Sequence, residues 1–143
     1  MKNFMDLKPW QKCHELVVAI YRKTASFPED DAGVMTEELR DTALNLQIRI
    51  EDALLHRSRK ERGIPGSLDV AHAKLARLES GLILCKDIKY VDSKTLRRLG
   101  ALVAEVQKVI DEMSGKRAVR ARNGRFARRV KMANASSLSS SPP

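Results

Sequence analysis

The sequence predicts an all-α fold, an antiparallel up-down-up-down four-helix bundle followed by a basic, largely disordered C-terminal tail. Apolar residues make up 43% of the 143 residues, which excludes disorder for most of the chain. Aromatic residues make up only 4%, while Leu, Ala, Val, Arg, Lys and Glu dominate, a composition typical of helical proteins. Four stretches place apolar residues at strides of three and four, which is the period of one helix face. Short loops separate these stretches, so we expect neighbouring helices to run antiparallel.

The first predicted helix begins near Pro9, which suits a first turn because its missing N–H would have no partner within the helix. It ends at the Ser-Phe-Pro segment 26–28, since the residue before a proline is pushed out of the helical region. Its apolar stripe consists of Trp10, Cys13, Val17, Ile20 and Thr24.

The second predicted helix begins at Thr36 and continues to about Arg62. Thr36 suits the N-cap, and Glu37 and Glu38 behind it lie at the positive end of the helix dipole. The apolar stripe of this helix consists of Leu39, Ala43, Leu46, Ile50 and Ala53.

Residues 44–51 (LNLQIRIE), within this second stretch, alternate apolar and polar residues as a strand does. We favour a helix, because no turn residue bounds the segment for many positions on either side. Such a helix is apolar on two faces, with Leu44 and Ile48 pointing away from Leu46 and Ile50. It therefore needs a second partner besides its own bundle.

The third and fourth predicted helices follow a clear break at residues 63–67 (GIPGS). Ser67 is the expected N-cap of the third helix, which ends near Tyr90, and residues 92–93 cap the fourth. Gly115 closes the fourth helix, because glycine readily takes the left-handed conformation that follows a helix end. The two stripes are Leu68, Ala71, Leu75, Leu78, Leu82 and Cys85, and then Leu96, Leu99, Val103, Val106, Ile110 and Met113.

The chain divides into a bundle, residues 1–114, and a tail, residues 115–143. Residues 116–134 are basic and weakly apolar, and a transient helix through 117–131 is compatible with them. The last ten residues (NASSLSSSPP) are of low complexity, and we expect them to be disordered.

The net charge of +9 is concentrated in the tail. Eight basic residues and no acidic one occupy positions 116–131, and the rest of the chain is nearly neutral. The sequence thus joins an acid-free basic arm to a balanced globule, a pattern typical of polyanion-binding arms. The eight residues are Lys116, Arg117, Arg120, Arg122, Arg125, Arg128, Arg129 and Lys131.

No motif predicts catalysis, a metal or a cofactor. Cys13 and Cys85 lie on core-facing stripes and are interpreted as buried thiols; whether they are neighbours is left open by the sequence. The histidines, His14, His56 and His72, lack a second ligand at helical spacing, and adjacent acidic pairs suit solvated faces. We therefore expect a non-enzymatic protein without metal or cofactor. Phosphate-binding glycine loops and nucleophile elbows are absent from the sequence.

The expected compartment is a reducing cytoplasm, because two distant cysteines are too few for a disulfide scaffold. The N-terminus (MKNFMDLKPW) lacks the apolar segment of a secretory signal, and no apolar run is long enough to span a bilayer. We therefore expect no membrane partner.

The basic residues predict a phosphate-binding surface. Arginine-rich segments neutralise a polyanion and release its counterions, and Phe126 is the only tail aromatic that could stack on a base. Recognition of backbone and shape is favoured over reading of single bases. The alternatives are a solvated helix end with a solubilising tail, and an anionic membrane, although the tail lacks an inserting apolar face. The candidate residues are Arg57, Arg59, Lys60 and Arg62, together with the eight tail residues named above.

Residues 4–28 (FMDLKPWQKCHELVVAIYRKTASFP) resemble the N-terminal helix of the four helix bundle protein family, encoded in intervening sequences of bacterial large-subunit ribosomal RNA genes. The shared pattern is Leu-x-x-Trp-Gln-Lys-x-His-Glu-Leu, then Ile-Tyr and Phe-Pro. Residues 66–99 are similar to the third helix of that family and the turn into its fourth. The likeness covers about residues 4–113.

One segment departs from the ribosomal-RNA type, which carries Ser-Ile-Pro-Ala-Asn-Ile-Ala-Glu-Gly in its second helix. Residues 44–55 (LNLQIRIEDALL) have neither proline nor glycine and look more like a related branch, the accessory variability determinant of diversity-generating retroelements. That resemblance implies a homo-oligomer, a pentamer of four-helix protomers, which binds RNA or RNA/DNA and a partner reverse transcriptase. The alternatives are a ribosomal-RNA intervening-sequence bundle of unknown role, and a structural oligomer whose arm only keeps it soluble.

Overall fold

The computed structural model describes residues 3–58 and 65–115. These residues form four helices and, within these two ranges, no strand, so the all-α prediction is confirmed, as is the helical interpretation of residues 44–51. The predictions for the tail, and for the helix continuing to Arg62, lie outside the described residues. The helices are α1 (Lys8–Thr24), α2 (Glu29–Ser58), α3 (Pro65–Asp87) and α4 (Ser93–Ser114), with a short 3₁₀ turn, Phe4–Asp6, before α1.

The ends of α1 and α4 are set by the residues that the sequence predicted. Pro9 lies in the first turn of α1, and α1 ends at Thr24, before the Ser-Phe-Pro segment. At the start of α4, the side chain of Asp92 accepts a hydrogen bond of 2.7 Å from the backbone N–H of Thr95. At its end, Gly115 takes a left-handed φ of 69°, as the C-cap prediction required.

The predicted starts of α2 and α3 are wrong. α2 begins at Glu29, seven residues before Thr36, because acidic residues fill its first turn and Ala32 already packs in the core. α3 begins at Pro65 instead of after Ser67, which agrees with the preference of proline for a first helical position. It ends at Asp87, short of the predicted Tyr90.

The core contains the four predicted stripes. Each of their residues is buried, except Trp10 and Met113, which are half-buried. The two-faced character of α2 is confirmed, since Leu46 and Ile50 are completely buried while Leu44 is 40% and Ile48 50% exposed. No helix in the described part of the chain is long and apolar enough to cross a membrane.

Helices α1 and α3 each pack against both α2 and α4, which places α2 and α4 on opposite sides of the bundle. The start of α1 meets the end of α2, where the indole N–H of Trp10 donates to Glu51 at 2.9 Å. The end of α1 meets the first half of α2, where Arg40 donates to Thr24 at 2.9 Å. These contacts show that α2 runs opposite to α1.

Helix α4 also runs opposite to α1. Lys12, in the first half of α1, forms an ion pair of 3.3 Å with Glu105 in the second half of α4. At the other end, the hydrogen bond from Thr95 lowers the pKa of Asp92, and the nearby charge of Lys23 at the end of α1 adds to this. Because both α2 and α4 are antiparallel to α1, they run in the same direction.

Candidate nucleic-acid interface

The predicted phosphate-binding residues fall almost entirely outside the described part of the chain. Arg57 belongs to the last turn of α2. Arg59, Lys60 and Arg62 follow that helix, and the eight basic residues from Lys116 to Lys131 follow Gly115. The described residues therefore establish the points at which the two basic segments join the bundle.

Both basic segments join the same end of the bundle. The end of α2 and the start of α3 flank the first segment, and the end of α4 leads into the second. Contacts between His72 near the start of α3 and Asp111 near the end of α4 bring these helix ends together, with His72 Nε2 3.5 Å from Asp111 Oδ1. The fold therefore places the attachment points of the predicted cations at one pole, although they are far apart in the sequence.

A half-exposed polar cluster lies at this pole between α1 and α2. The Trp10 indole stacks on the His14 imidazole, with ring centroids 4.6 Å apart and planes 12° from parallel. Gln47 lies 3.3 Å from His14 Nδ1, and Glu51 accepts the indole N–H of Trp10. Trp10 and His14 are thus held by side chains of α2 in one orientation.

A second polar cluster, more deeply buried, lies between α3 and α4. Gln107 Nε2 is 2.9 Å from His72 Nδ1 and 3.2 Å from Asp111 Oδ1, and Asp111 is completely buried. Because the Gln107 amide donates to Nδ1, the ring proton of a neutral His72 lies on Nε2, which faces Asp111. The hydrogen bonds to His72 Nδ1 and Asp111 Oδ1 replace water that these atoms lose on burial.

The sequence does not predict these two clusters, because the glutamines that contact His14 and His72 lie on other helices. In each helical hairpin, a histidine of the first helix meets a glutamine of the second, and an acidic residue follows that glutamine by one turn. The available signal is the Gln-x-x-x-acid spacing in α2 and α4, which Gln11 and Glu15 of α1 also show. No group of three or more metal-ligating side chains occurs in residues 3–58 and 65–115.

The two thiols are buried at opposite ends of the bundle, and neither forms a disulfide. Cys13 lies near Glu51, whereas the carbonyl of Cys85 accepts hydrogen bonds from Tyr90 and Val91 in the turn before α4. Burial raises the pKa of Cys13 to about 12, with a smaller contribution from the Glu51 charge, and raises that of Cys85 to about 11. Such thiols suit core packing and do not suit nucleophilic chemistry.

Comparison with known proteins gives one family. The model of the family described as 23S rRNA-intervening sequence protein matches residues 5–112, which run from the 3₁₀ turn to the last turns of α4. The sequence matches no curated protein at a significant level.

Proposed function

The chain belongs to the 23S rRNA-intervening sequence protein family, and we propose that it is a non-enzymatic, self-associating protein that binds nucleic acid through its basic segments. The observation that carries this proposal is the common pole of the bundle to which both basic segments are attached. The likeness of residues 4–28 to this family, noted from the sequence, is confirmed by the match.

Phosphate is the chemical group that this arrangement fits. Arginine presents a planar set of donors to phosphate oxygens and stays charged at any physiological pH. The twelve cations attached to one pole, most of them arginines, would neutralise successive phosphates of one strand or duplex and release their counterions. RNA is the proposed ligand, and the cations would recognise its phosphate backbone and its shape.

The finer proposal is an accessory protein of a diversity-generating retroelement. It would hold template RNA, or an RNA/DNA intermediate, and dock the reverse transcriptase during mutagenic cDNA synthesis in the cytoplasm. The uninterrupted course of α2 through residues 44–55 supports this branch, because the ribosomal-RNA type carries proline and glycine there. The family match favours the alternative, a ribosomal-RNA intervening-sequence bundle of unknown role.

Self-association is supported by the outward face of α2. Leu44, Ile48 and Leu55 are 40–50% exposed along one side of this helix, and a soluble bundle gains stability by covering such a stripe. A homopentamer is the assembly we propose. A monomer at micromolar concentration, measured by native mass spectrometry, would refute this part.

RNA binding is tested by fluorescence titration of a labelled RNA over a salt series. Replacement of the eight tail cations by glutamine in the full chain should weaken binding. It should also reduce the slope of log K against log salt by roughly 0.7–0.9 for each phosphate that the variant no longer neutralises. Unchanged affinity and slope would remove the tail from the interface.

A matched pair of variants tests the proposed pole. Arg59→Gln with Lys60→Gln should weaken binding, whereas Arg22→Gln with Lys89→Gln removes the same charge at the opposite end of the bundle and should have little effect. Equal losses of RNA affinity from both pairs would mean that only the net charge of the protein matters.

The gene neighbourhood separates the two branches of the family. A reverse transcriptase gene with a template/variable repeat pair would indicate the retroelement branch, and an insertion in a ribosomal RNA gene would indicate the other.

A further inference from the structure

The outward face of α2 combines apolar and acidic side chains. Leu44 and Ile48 form its centre, and the charged residues flank them. Glu37 and Asp41 are exposed, Asp52 is half-buried, and none of the three forms an ion pair within the described ranges. We name this surface the acidic face of α2; it consists of Glu37, Asp41, Leu44, Ile48 and Asp52.

The outward face of α4 has the opposite character and lies on the opposite side of the bundle. Exposed Ala101 lies at its centre beside Glu105, half-buried Ala104 lies at its edge, and exposed cations flank them. Glu105 on the same side is occupied by its ion pair with Lys12, and Glu112 lies one turn beyond the last cation. We name this surface the basic face of α4; it consists of Lys94, Arg97, Arg98, Ala101, Ala104 and Lys108.

The two faces match in register when their helices run in the same direction. Glu37 then lies opposite Lys94, and Asp41 lies opposite Arg97 and Arg98. Leu44 then meets Ala101, Ile48 lies beside Ala104 and Glu105, and Asp52 meets Lys108. Each match has the same offset along the chain to within one residue, so a single alignment of two straight helices satisfies all of them.

We propose that a second copy of the chain covers the acidic face of α2 with its own basic face of α4. This inference rests on the proposed self-association and specifies its interface. The alanines allow the helix of the second copy to approach Leu44 and Ile48 closely, while the flanking charges pair across the contact. Two acidic faces, or two basic faces, would repel each other, which excludes a symmetric contact through either face alone.

The contact is head-to-tail, and its parallel register is compatible with a closed ring. α2 and α4 run in the same direction within one protomer, and a rotation about an axis along the bundle preserves that direction between copies. The parallel register is therefore the one that cyclic symmetry about such an axis produces. A rotation that closes gives a ring, in which every protomer uses both faces once.

Charge reversal in the full-length protein tests the assignment. Glu37→Lys with Asp41→Lys, or Lys94→Glu with Arg98→Glu, should each raise the dissociation constant of the assembly at least about tenfold in sedimentation velocity over a concentration series. All four substitutions in one chain should restore assembly, because every contact again joins opposite charges. Asp6→Lys with Asp87→Lys, at exposed sites outside both faces, is the control of equal charge change and should leave assembly unaltered.

The outcomes separate the interface from self-association itself. A wild-type monomer would refute the proposed self-association, whereas an assembly unaffected by either reversal would refute only this interface. A loss in the α2 variant that the fourfold variant does not restore would also overturn the proposal. In that case the acidic face would hold a different basic segment, such as residues 116–131. Circular dichroism of each variant verifies that the helices remain folded.

Discussion

Ile50→Ala and Ile48→Ala probe the two faces of α2 with the same chemical change. Ile50 is completely buried, and truncation removes a methyl and an ethyl group from the core. Transfer alone costs about 2.4 kcal/mol, and the cavity left behind brings the expected loss to about 2–5 kcal/mol. That is a large part of the roughly 5–15 kcal/mol by which a domain is stable, so the melting temperature should fall by roughly 10 °C or more.

Ile48 is 50% exposed, so its truncation should change the free energy of unfolding of the protomer by no more than about 0.5 kcal/mol. Chemical denaturation followed by circular dichroism at several protein concentrations measures both quantities. Association adds stability that rises with concentration, and Ile48→Ala should reduce that part selectively. Equal losses from the two variants at every concentration would refute the two-faced interpretation of α2.

Three further outcomes are expected. Cys13 and Cys85 should react with Ellman's reagent only after unfolding, since roughly one thiol in a thousand or fewer is ionised at pH 8; reaction in the native state would contradict their burial. Asp92→Ala should lower the melting temperature at pH 7. Folding lowers the pKa of Asp92, so the stability that the ionised carboxylate contributes is present above its ordinary pKa of 3.8. This stability is lost as the pH falls through the pKa of the folded state. The difference in melting temperature between variant and wild type should therefore vanish at lower pH. Asp111→Ala should cost about 1–3 kcal/mol and more than Glu51→Ala in denaturant titrations, because Asp111 is completely buried and Glu51 is half-buried; the reverse order would contradict the network.

The four helices and their core-facing residues could be predicted, because both follow from the local spacing of apolar residues. The α4 boundaries followed from Asp92 and Gly115, whose capping chemistry acts within one turn. The start of α2 is earlier than predicted, although Ala32 and Met35 extend the stripe of Leu39 at strides of three and four. The capping preference of Thr36 favours a later start, but in the structure the core packing of Ala32 outweighs it.

The polar clusters at the pole could not be predicted, because each one joins residues of different helices. His14 meets Gln47 only when α1 and α2 pack with one particular register, and His72 meets Gln107 for the same reason. Spacing within one helix shows which residues share a face, but it does not show which residues of another helix they contact. The phosphate-binding prediction, by contrast, depends on charge content, and it stays a prediction.

The two helical hairpins, α1–α2 and α3–α4, resemble each other in the polar clusters on their inner surfaces but differ in the charges on their outer surfaces. On the inner side, Gln107 and Asp111 follow Gln47 and Glu51 by the same number of residues. Each glutamine contacts a histidine of the preceding helix; Asp111 also contacts that histidine, whereas Glu51 accepts from Trp10. On the outer side, the equivalent helices carry opposite charges. A bundle of two similar hairpins with identical outer faces would repel its own copies. In the proposed assembly, the opposite charges of the outer faces of α2 and α4 join the copies head-to-tail, while each inner cluster links the two helices of its own hairpin.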